Sequence, residues 1–362
     1  MFKTKERFLG VDISPSAVKV MELGRNGKRI QVEASASEPL PEGAVEDRNP
    51  VNVEQVAEAL KQAIKNSGTR VRKAAVAVPT SSVITRTIPM PAEYGEDDIE
   101  SAIEVDATQY IPFPLDEIYL DFEIRGASKS AQESQDVMLV AARREFVDLR
   151  QEVLKEAGLK TLIVDVEAYA LENLFQQLCS YLYFNGAELD EVALKRLGGI
   201  RTAMIDVGAL TTTLYIFNGQ RVVFTREQPG GCEQLTQAIA DAYGLTKERA
   251  ELAKRSGDLS EDYISTVLEP FRESIAEQVN NALQFFFSSS NFNAVDSVVL
   301  TGGGGMVQGL DKTLADRLGT PTVIANPFEI MTNAKRVNRH GLLRDAPLYA
   351  VACGLALRSL DA

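Results

Sequence analysis

The chain has 362 residues, a formal net charge of −13, an isoelectric point near 4.8 and 45% apolar residues. This length indicates two or more domains. The acidic balance argues against nucleic acid or anionic lipid as a partner, because both need a positive surface. Three distant cysteines and a single histidine, His340, argue against a disulfide framework, a zinc site and a Ser-His-Asp triad. No segment reaches the roughly 18 apolar residues of a membrane span, so the sequence predicts a cytoplasmic chain.

Two stretches in the two halves of the chain follow one pattern. "FLGVDISPSAVKVMEL" (8–23) and "TAMIDVGALTTTLYIF" (202–217) each contain an apolar strand that ends in an acid, a turn of small residues, and a second apolar strand. The acids are Asp12 and Asp206. This correspondence predicts two related α/β halves whose hairpins face one cleft.

Helical periodicity separates the strand signals. Apolar residues recur three or four positions apart at 53–64, 146–153 and 235–242, and most persistently at 264–286, where Pro270 is expected near the first turn. Strands that alternate with helices favour an α/β architecture with parallel or mixed sheets. Residues 83–160 differ: strand-like segments surround an acidic helix at 97–109, which indicates an inserted α+β module.

The two turns have the chemistry of a phosphate site. Successive backbone N–H groups in a turn of small residues can point at phosphate oxygens, while a carboxylate at the strand end holds Mg²⁺ directly or through water. Lys19, on the second strand, is expected to reach the β- or γ-phosphate. The alternative for Asp12 and Asp206 is a role as turn-capping acids. The other candidate phosphate-binding residues of these turns are Ser14, Ser16, Gly208, Thr211 and Thr212.

Four consecutive glycines follow a further strand in "VVLTGGGGMVQGL" (298–310). Such a run is expected where the backbone needs a positive φ or where another group approaches it closely. A bound ligand and a tight strand-to-helix turn both satisfy this condition.

These motifs resemble the phosphate-1, phosphate-2 and adenosine motifs of the actin-like ATPase superfamily, in "GVDISPSAVKV", "IDVGALTTTLYIF" and "VVLTGGGGMVQGLDKTLADRLG". The resemblance implies an actin-like ATPase fold, with ATP and Mg²⁺ bound between the halves. It implies that Gly302, Gly303 and Gly304 lie flat against the nucleotide. It also implies nucleotide contacts from Gly230, Gly231, Glu251, Lys254 and Arg255. The chain contains no Walker-type G-x-x-x-x-G-K-[ST] sequence.

Within that superfamily, "YIPFPLDEIYLDF" (110–122), "DVEAYALENLF" (165–175) and "NPF" (326–328) most resemble the PilM family of type IV pilus assembly proteins, which is similar to the cell-division protein FtsA. The resemblance implies four subdomains: 1–82 with 161–197, the inserted module 83–160, 198–225 with 297–362, and a helical part at 226–296. It implies that a groove between the module and the first large subdomain holds the cytoplasmic N-terminal peptide of the inner-membrane protein PilN. Other inner-membrane platform proteins and pilus motor ATPases are expected as indirect partners.

The last segment, "CGLALRSLDA", is expected to follow an apolar helix of the second half. FtsA-type proteins have an amphipathic membrane helix after a linker at this point. Attachment at the inner membrane is therefore expected through a transmembrane partner.

Hydrolysis needs a group that orients water, and family position favours Glu167. The alternative for Glu167 is an acid at a helix N-terminus, where the dipole stabilises it. We expect a nucleotide-dependent switch with slow or partner-dependent turnover. The alternatives are an FtsA-like cell-division or type II secretion scaffold, a small-molecule kinase in which Asp165 is the catalytic acid, and a scaffold with a degenerate nucleotide site.

Overall fold

The computed structural model describes residues 7–128, 131–184, 186 and 189–361, without the side chains of 106–108 and 361. The strands in these residues are β1 (Leu9–Ile13), β2 (Ala17–Asn26), β3 (Arg29–Pro39), β4 (Lys73–Val78), β5 (Val83–Pro91), β6 (Ile118–Ala127), β7 (Ser134–Arg143), β8 (Lys160–Val166), β9 (Arg201–Val207), β10 (Thr211–Asn218), β11 (Arg221–Pro229), β12 (Ser297–Gly302), β13 (Thr322–Ile324) and β14 (Thr332–Asn333). The α-helices are α1 (Val53–Ser67), α2 (Glu96–Tyr110), α3 (Arg144–Glu156), α4 (Glu167–Phe184), α5 (Glu191–Leu197), α6 (Cys232–Tyr243), α7 (Lys247–Ser256), α8 (Glu269–Ser289), α9 (Leu310–Leu318), α10 (Arg339–Arg344) and α11 (Ala350–Asp361).

The first half is built on a mixed sheet with the strand order β14-β3-β2-β1-β4-β8. Helices α1 and α3 cover one face and share a core with β1, β2 and β4. The Asn52 side chain caps α1 by accepting a hydrogen bond from Gln55 N at 3.1 Å, and Gly68 ends the helix with φ 68°. The apolar spacing predicted for 53–64 is the buried stripe of α1.

The second half is built on a sheet with the order β11-β10-β9-β12-β13. Helices α6, α8 and α9 pack on one face through a continuous apolar core. Pro270 lies in the first turn of α8, directly after a π-helical turn at Ile264–Leu268. The α/β fold with related halves is thus confirmed: β1 pairs with β2 as β9 pairs with β10, placing Asp12 opposite Lys19 and Asp206 opposite Thr213.

Helix α4 lies between the two sheets and joins the halves in one core. Its Phe175 packs against Phe217 of β10 with ring centroids 4.2 Å apart, and the same core includes residues of β2 and β12. The two halves that carry the acid-bearing hairpins therefore share one core.

The C-terminal helix packs on the first half, not on the second half as the sequence suggested. Helix α11 contacts α4, β1 and β2, and β14 pairs with β3. Two glycines allow this approach: a Cβ atom at Gly10 would lie 2.0 Å from the carbonyl oxygen of Ala352, and one at Gly354 would lie 1.8 Å from that of Ala170. Strand β14 and helix α11 thus pack on the first half, whereas residues 346–349 between them contact β12 of the second half.

The inserted module is a three-stranded sheet in the order β5-β7-β6 with α2 against one face. Helix α3 does not belong to it, because Val153 and Leu154 are buried in the core of the first half beside Leu9 and Val11. We therefore end the module at Arg143 instead of at residue 160. Both outer strands, β5 and β6, are sheet edges.

Candidate nucleotide site

The first acid-bearing hairpin holds a buried ion pair. Lys19 Nζ lies 2.8 Å from Asp12 Oδ2 and donates to Ser14 Oγ at 3.0 Å. Cross-strand pairing places the two charges together, because Asp12 and Lys19 face each other in the β1–β2 register. The exposed Ser16 lies at the same turn, where its carbonyl oxygen accepts from Leu40 N at 3.0 Å. The predicted metal acid and phosphate lysine are therefore paired with each other.

The second hairpin turn is packed against the two-glycine turn that precedes α6. Gly208 N donates to the carbonyl oxygen of Thr211 at 2.9 Å, and Thr212 Oγ1 donates to that of Gly230 at 2.8 Å. A Cβ atom at Gly231 would lie 2.5 Å from Gly208 O, so only glycine permits this contact. The sequence motifs at 206–212 and 230–231 thus form one surface.

The glycine run lies against β9 and its acid. A Cβ atom at Gly302 would lie 2.1 Å from Asp206 Oδ1, and one at Gly304 would lie 2.4 Å from the Cβ atom of Val207. Within the run only Gly302 has a positive φ, 71°. A tight turn packed on the protein therefore explains Gly302 and Gly304. At Gly303 the nearest atom, Cys232 Sγ, would lie 3.1 Å away.

This geometry predicts different tolerances at neighbouring glycines. Gly304→Ala should lower the free energy of unfolding by about 1–3 kcal/mol, because the added methyl overlaps the buried Val207 side chain. Gly303→Ala should cost less than about 1 kcal/mol, since Cys232 can shift by a few tenths of an ångström. Urea denaturation of both variants measures the difference, and equal losses would contradict the packing described.

The residues expected near ribose and adenine form a polar cluster between α6 and α7. Glu251 accepts hydrogen bonds from Thr236 Oγ1 at 2.9 Å and from Arg255 Nε at 2.7 Å. Lys254 Nζ donates to Thr236 Oγ1 at 2.6 Å. The three predicted residues are thus brought together. They lie near the N-terminal end of α6, where Lys254 Nζ also approaches the carbonyl oxygen of Cys232 at 3.5 Å.

Arg48 was not predicted from the sequence, and it spans the cleft. Its guanidinium pairs with Glu167 of α4 through Nη2, and Nη1 lies 3.1 Å from Thr211 Oγ1 and 2.7 Å from Glu227 Oε2. No periodicity marks Arg48, because it lies in the irregular segment between β3 and α1. Glu227, on β11, was likewise missed.

The carboxylates of the cleft lie within electrostatic reach of one another. Burial, followed by the charges of Glu167 and Asp12, raises the pKa of Asp206 to about 6, although Arg48 and Lys19 act in the opposite direction. Burial also raises the pKa of Glu167, against the effect of Arg48. Such crowded acids favour a bound cation.

No group of three or more His, Cys, Asp or Glu side chains among the described residues is arranged to hold a metal ion by itself. A divalent ion at Asp12 and Asp206 would therefore need further oxygen ligands from phosphate and water, which is the usual coordination of Mg²⁺.

Asp165, the acid considered for a kinase, is occupied elsewhere. It pairs with Arg358 of α11, whose Nη2 lies 3.0 Å from Oδ1, and it accepts from Val166 N at 2.8 Å. The pair fastens the C-terminal helix to β8.

Paired acid-bearing hairpins around one cleft define the actin-like ATPase fold. A structure of MreB5 of Spiroplasma citri bound to ADP shares it, with a TM-score of 0.51 and 14% identity over 97% of this chain and 95% of that chain. The family described as type IV pilus assembly protein PilM matches residues 10–360. The chain belongs to this family.

Two further relatives agree with the family assignment. A structure of a PilM-PilN type IV pilus biogenesis complex is similar to this chain, with a TM-score of 0.79 and 28% identity over 99% of this chain and 100% of that chain. The cell division protein FtsA of Bacillus subtilis (strain 168) is 22% identical in an alignment that covers 89% of this chain and 79% of FtsA. The resemblance to PilM and FtsA is thus confirmed. Among the described residues, no helix has the length and apolarity needed to cross a membrane.

Proposed function

We propose that this pilus assembly protein is a nucleotide-dependent scaffold, which binds Mg·ATP in the cleft and the N-terminal peptide of a PilN-type protein on its inserted module. The observation that carries the proposal is the packing of the 230–231 and 302–304 glycine turns against the 206–211 turn of the second half, which Arg48 of the first half also contacts at Thr211. Fold neighbours include a protein solved with ADP, and the structural relative at 28% identity is a PilM-PilN complex.

The residues present fit a nucleotide and a divalent ion. Gly231 and Gly302 allow their turns to pack directly against Gly208 and Asp206, and the crowded Asp206 and Asp12 suit a cation. In the bound state Ser14, Gly208 and Thr211 would contact phosphates, Gly303 the base, and the α6–α7 cluster the ribose. Mg²⁺ would supply neutralisation of phosphate charge.

Glu167 is proposed to orient water at the terminal phosphate. In the nucleotide-free geometry its carboxylate pairs with Arg48. A carboxylate engaged by a guanidinium is not free to orient water, so this pairing favours slow turnover.

The partner surface is proposed along the β6 edge of the module, beside α3 of the first half. Tyr119 and Ile124 of β6 are large apolar side chains with exposed fractions of 40% and 37%. Tyr119 also donates to Asp148 Oδ1 of α3 at 3.0 Å, so β6 borders the junction of the two subdomains. An extended peptide can add to such an edge through its backbone and insert alternate side chains. A membrane-bound PilN-type partner would hold the chain at the inner membrane and link it indirectly to other platform proteins and motor ATPases.

Helix α4 can couple the cleft to this surface, because it contacts all three parts. Glu167 at its start meets Arg48, Tyr169 Oη lies 3.2 Å from Thr85 Oγ1 of β5, and the buried Glu172 accepts from Arg221 Nη1 of β11 at 2.8 Å. Glu172 also lies 3.8 Å from Arg125 Nη1 of β6. A movement of the second half would therefore shift α4 and, through it, strands β5 and β6 of the module.

Native mass spectrometry tests the nucleotide part of this function. The purified chain in Mg·ATP should retain one nucleotide and yield no phosphorylated product from a mixture of sugars and small acids. A protein without retained nucleotide would be a scaffold with a degenerate site, and a phosphorylated product would favour a kinase. The Asp165–Arg358 pair already argues against the kinase.

A further inference from the structure

The backbone that presents Arg48 has an unusual conformation. Asp47 and Arg48 are the central residues of a tight turn, closed by hydrogen bonds of 2.9 Å from Glu46 N to Asn49 O and 2.7 Å from Asn49 N to Glu46 O. Their φ angles are 45° and 63°. Turns of this hand normally use Asn-Gly, because side chains disfavour positive φ. Strain of this kind persists where surrounding contacts impose it, often at functional sites.

A buried arginine imposes this conformation. Arg150 of α3, with an exposed fraction of 1%, donates from Nη2 to Arg48 O at 2.7 Å and from Nη1 to Asn49 Oδ1 at 3.2 Å. Its Nε donates to Ala77 O at 2.7 Å, at the end of β4. The turn is therefore anchored to the rigid first sheet, and the direction of the Arg48 side chain is fixed.

The Arg48 guanidinium reaches the second half at the phosphate turn. Nη1 contacts both Thr211 of that turn and Glu227, while Nη2 contacts Glu167 of the first half. The third nitrogen, Nε, is buried without a hydrogen-bond partner among the described residues. One cation thus bridges the cleft at the turn, and its Nε–H is unused.

The cleft around Arg48 is rich in carboxylates. Asp12, Asp206, Glu167 and Glu227 surround the cleft, and a polyphosphate entering it would meet several carboxylates. Lys19 is already paired with Asp12 on the first turn. Arg48 supplies the positive charge that contacts the second turn.

We propose that Arg48 binds the terminal phosphate of the nucleotide and so distinguishes ATP from ADP, an inference that rests on the proposed nucleotide site. A terminal phosphate offers a guanidinium the same paired oxygens as a carboxylate, with more charge. Arg48 would exchange Glu167 and Glu227 for it. This exchange would release Glu167 and break the Arg48–Glu227 bridge between the halves, while ADP would leave both pairs in place.

Calorimetric titration with a non-hydrolysable Mg·ATP analogue and with Mg·ADP tests this role. Arg48→Ala should weaken binding of the analogue by about 10- to 100-fold, as expected for a lost charge-assisted contact, and change ADP binding less than about threefold. If the Arg48→Ala variant does not fold, the same titrations are made with Arg48→Gln, which retains most of the side-chain volume. Equal effects on both nucleotides, or none, would refute the proposal.

Lys247→Ala is the matched control. Lys247 also joins the β3–α1 segment to the second half, with Nζ 2.6 Å from Glu42 Oε1 and 2.6 Å from Glu233 Oε1. Removing that bridge should leave the ratio of the two affinities unchanged. A changed ratio would show that any loss of a bridge between the halves suffices, against a phosphate contact.

A double variant separates lost attraction from new repulsion. Arg48→Ala exposes the Glu167 carboxylate, which could itself repel the phosphate. If Arg48→Ala with Glu167→Gln regains wild-type discrimination, repulsion was the cause and the proposal fails; if discrimination stays lost, the phosphate contact is supported. A wild-type protein that binds neither nucleotide would instead overturn the nucleotide site itself.

Discussion

Asp206→Asn should weaken Mg·ATP binding by at least about 100-fold, since even residues that only support metal ligands contribute roughly 10- to 100-fold to affinity. The amide keeps the shape of the carboxylate beside Gly302 but removes the charge proposed to meet the cation. Calorimetry with and without Mg²⁺ measures the loss. The control Asp316→Asn removes an exposed carboxylate from α9 of the same half and should bind as the wild type does. Unchanged Mg·ATP affinity in Asp206→Asn would contradict the site.

The same substitution should stabilise the protein when nucleotide and metal are absent. The pKa of Asp206 rises from 3.8 to about 6 on folding, first through burial and then through Glu167 and Asp12. A carboxylate whose pKa is raised destabilises the fold in its ionised form, so the penalty is absent below about pH 4, grows to about pH 6 and is full above it. With allowance for the partial exposure of Asp206, the free energy of unfolding of Asp206→Asn at pH 8 should exceed that of the wild type by about 1–3 kcal/mol.

Urea unfolding in EDTA at pH 8 and at pH 4 checks this sign. Asp206→Asn should be more stable than the wild type at pH 8, and the difference should nearly vanish at pH 4. A gain that is the same at both values would assign the effect to something other than the charge of Asp206.

Removal of the inserted module should abolish partner binding and spare nucleotide binding. Val83 of β5 and Ala142 of β7 face each other in the antiparallel register, so an Asn-Gly turn can replace residues 84–141. Helix α3 and its Arg150 remain, which keeps the Arg48 turn supported. The probe is a fluorescein-labelled peptide of the N-terminal cytoplasmic residues of the PilN protein from the same organism. Its anisotropy should no longer rise, while nucleotide affinity stays within about threefold of wild type.

Point variants on the module locate the surface. Tyr119→Ala on β6 should lower the affinity for the peptide by about tenfold or more, as is usual for a central aromatic contact. Val105→Ala, on α2, removes a side chain that is 79% exposed and should change affinity less than about twofold. A folded deletion variant that binds the peptide with wild-type affinity would place the groove elsewhere.

Local pattern was sufficient for some parts of the molecule. The repeated strand-turn-strand sequence identified the hairpins of Asp12 and Asp206, because alternation and small-residue turns are properties of neighbouring residues. The stripes of α1 and α8 were predicted for the same reason.

Other features depend on contacts between residues that are far apart in the chain. The direction of Arg48 depends on a hydrogen bond from Arg150, 102 residues away in the chain, which no local pattern encodes. An apolar C-terminal helix can pack on either half, and its place was set by close approach at Gly10 and Gly354. The glycine run could not show from sequence alone that Asp206 and Val207 would be its neighbours.

The most direct test of the nucleotide-dependent scaffold is the affinity of the labelled PilN-type peptide for wild-type protein, measured by anisotropy without nucleotide, with Mg·ADP and with a non-hydrolysable Mg·ATP analogue. If the Arg48–Glu167–α4 contacts link the cleft to the module, the analogue should change the peptide affinity by about fivefold or more relative to Mg·ADP, a coupling within the usual allosteric range. Identical peptide affinities in all three states, with nucleotide shown to be bound, would contradict the account.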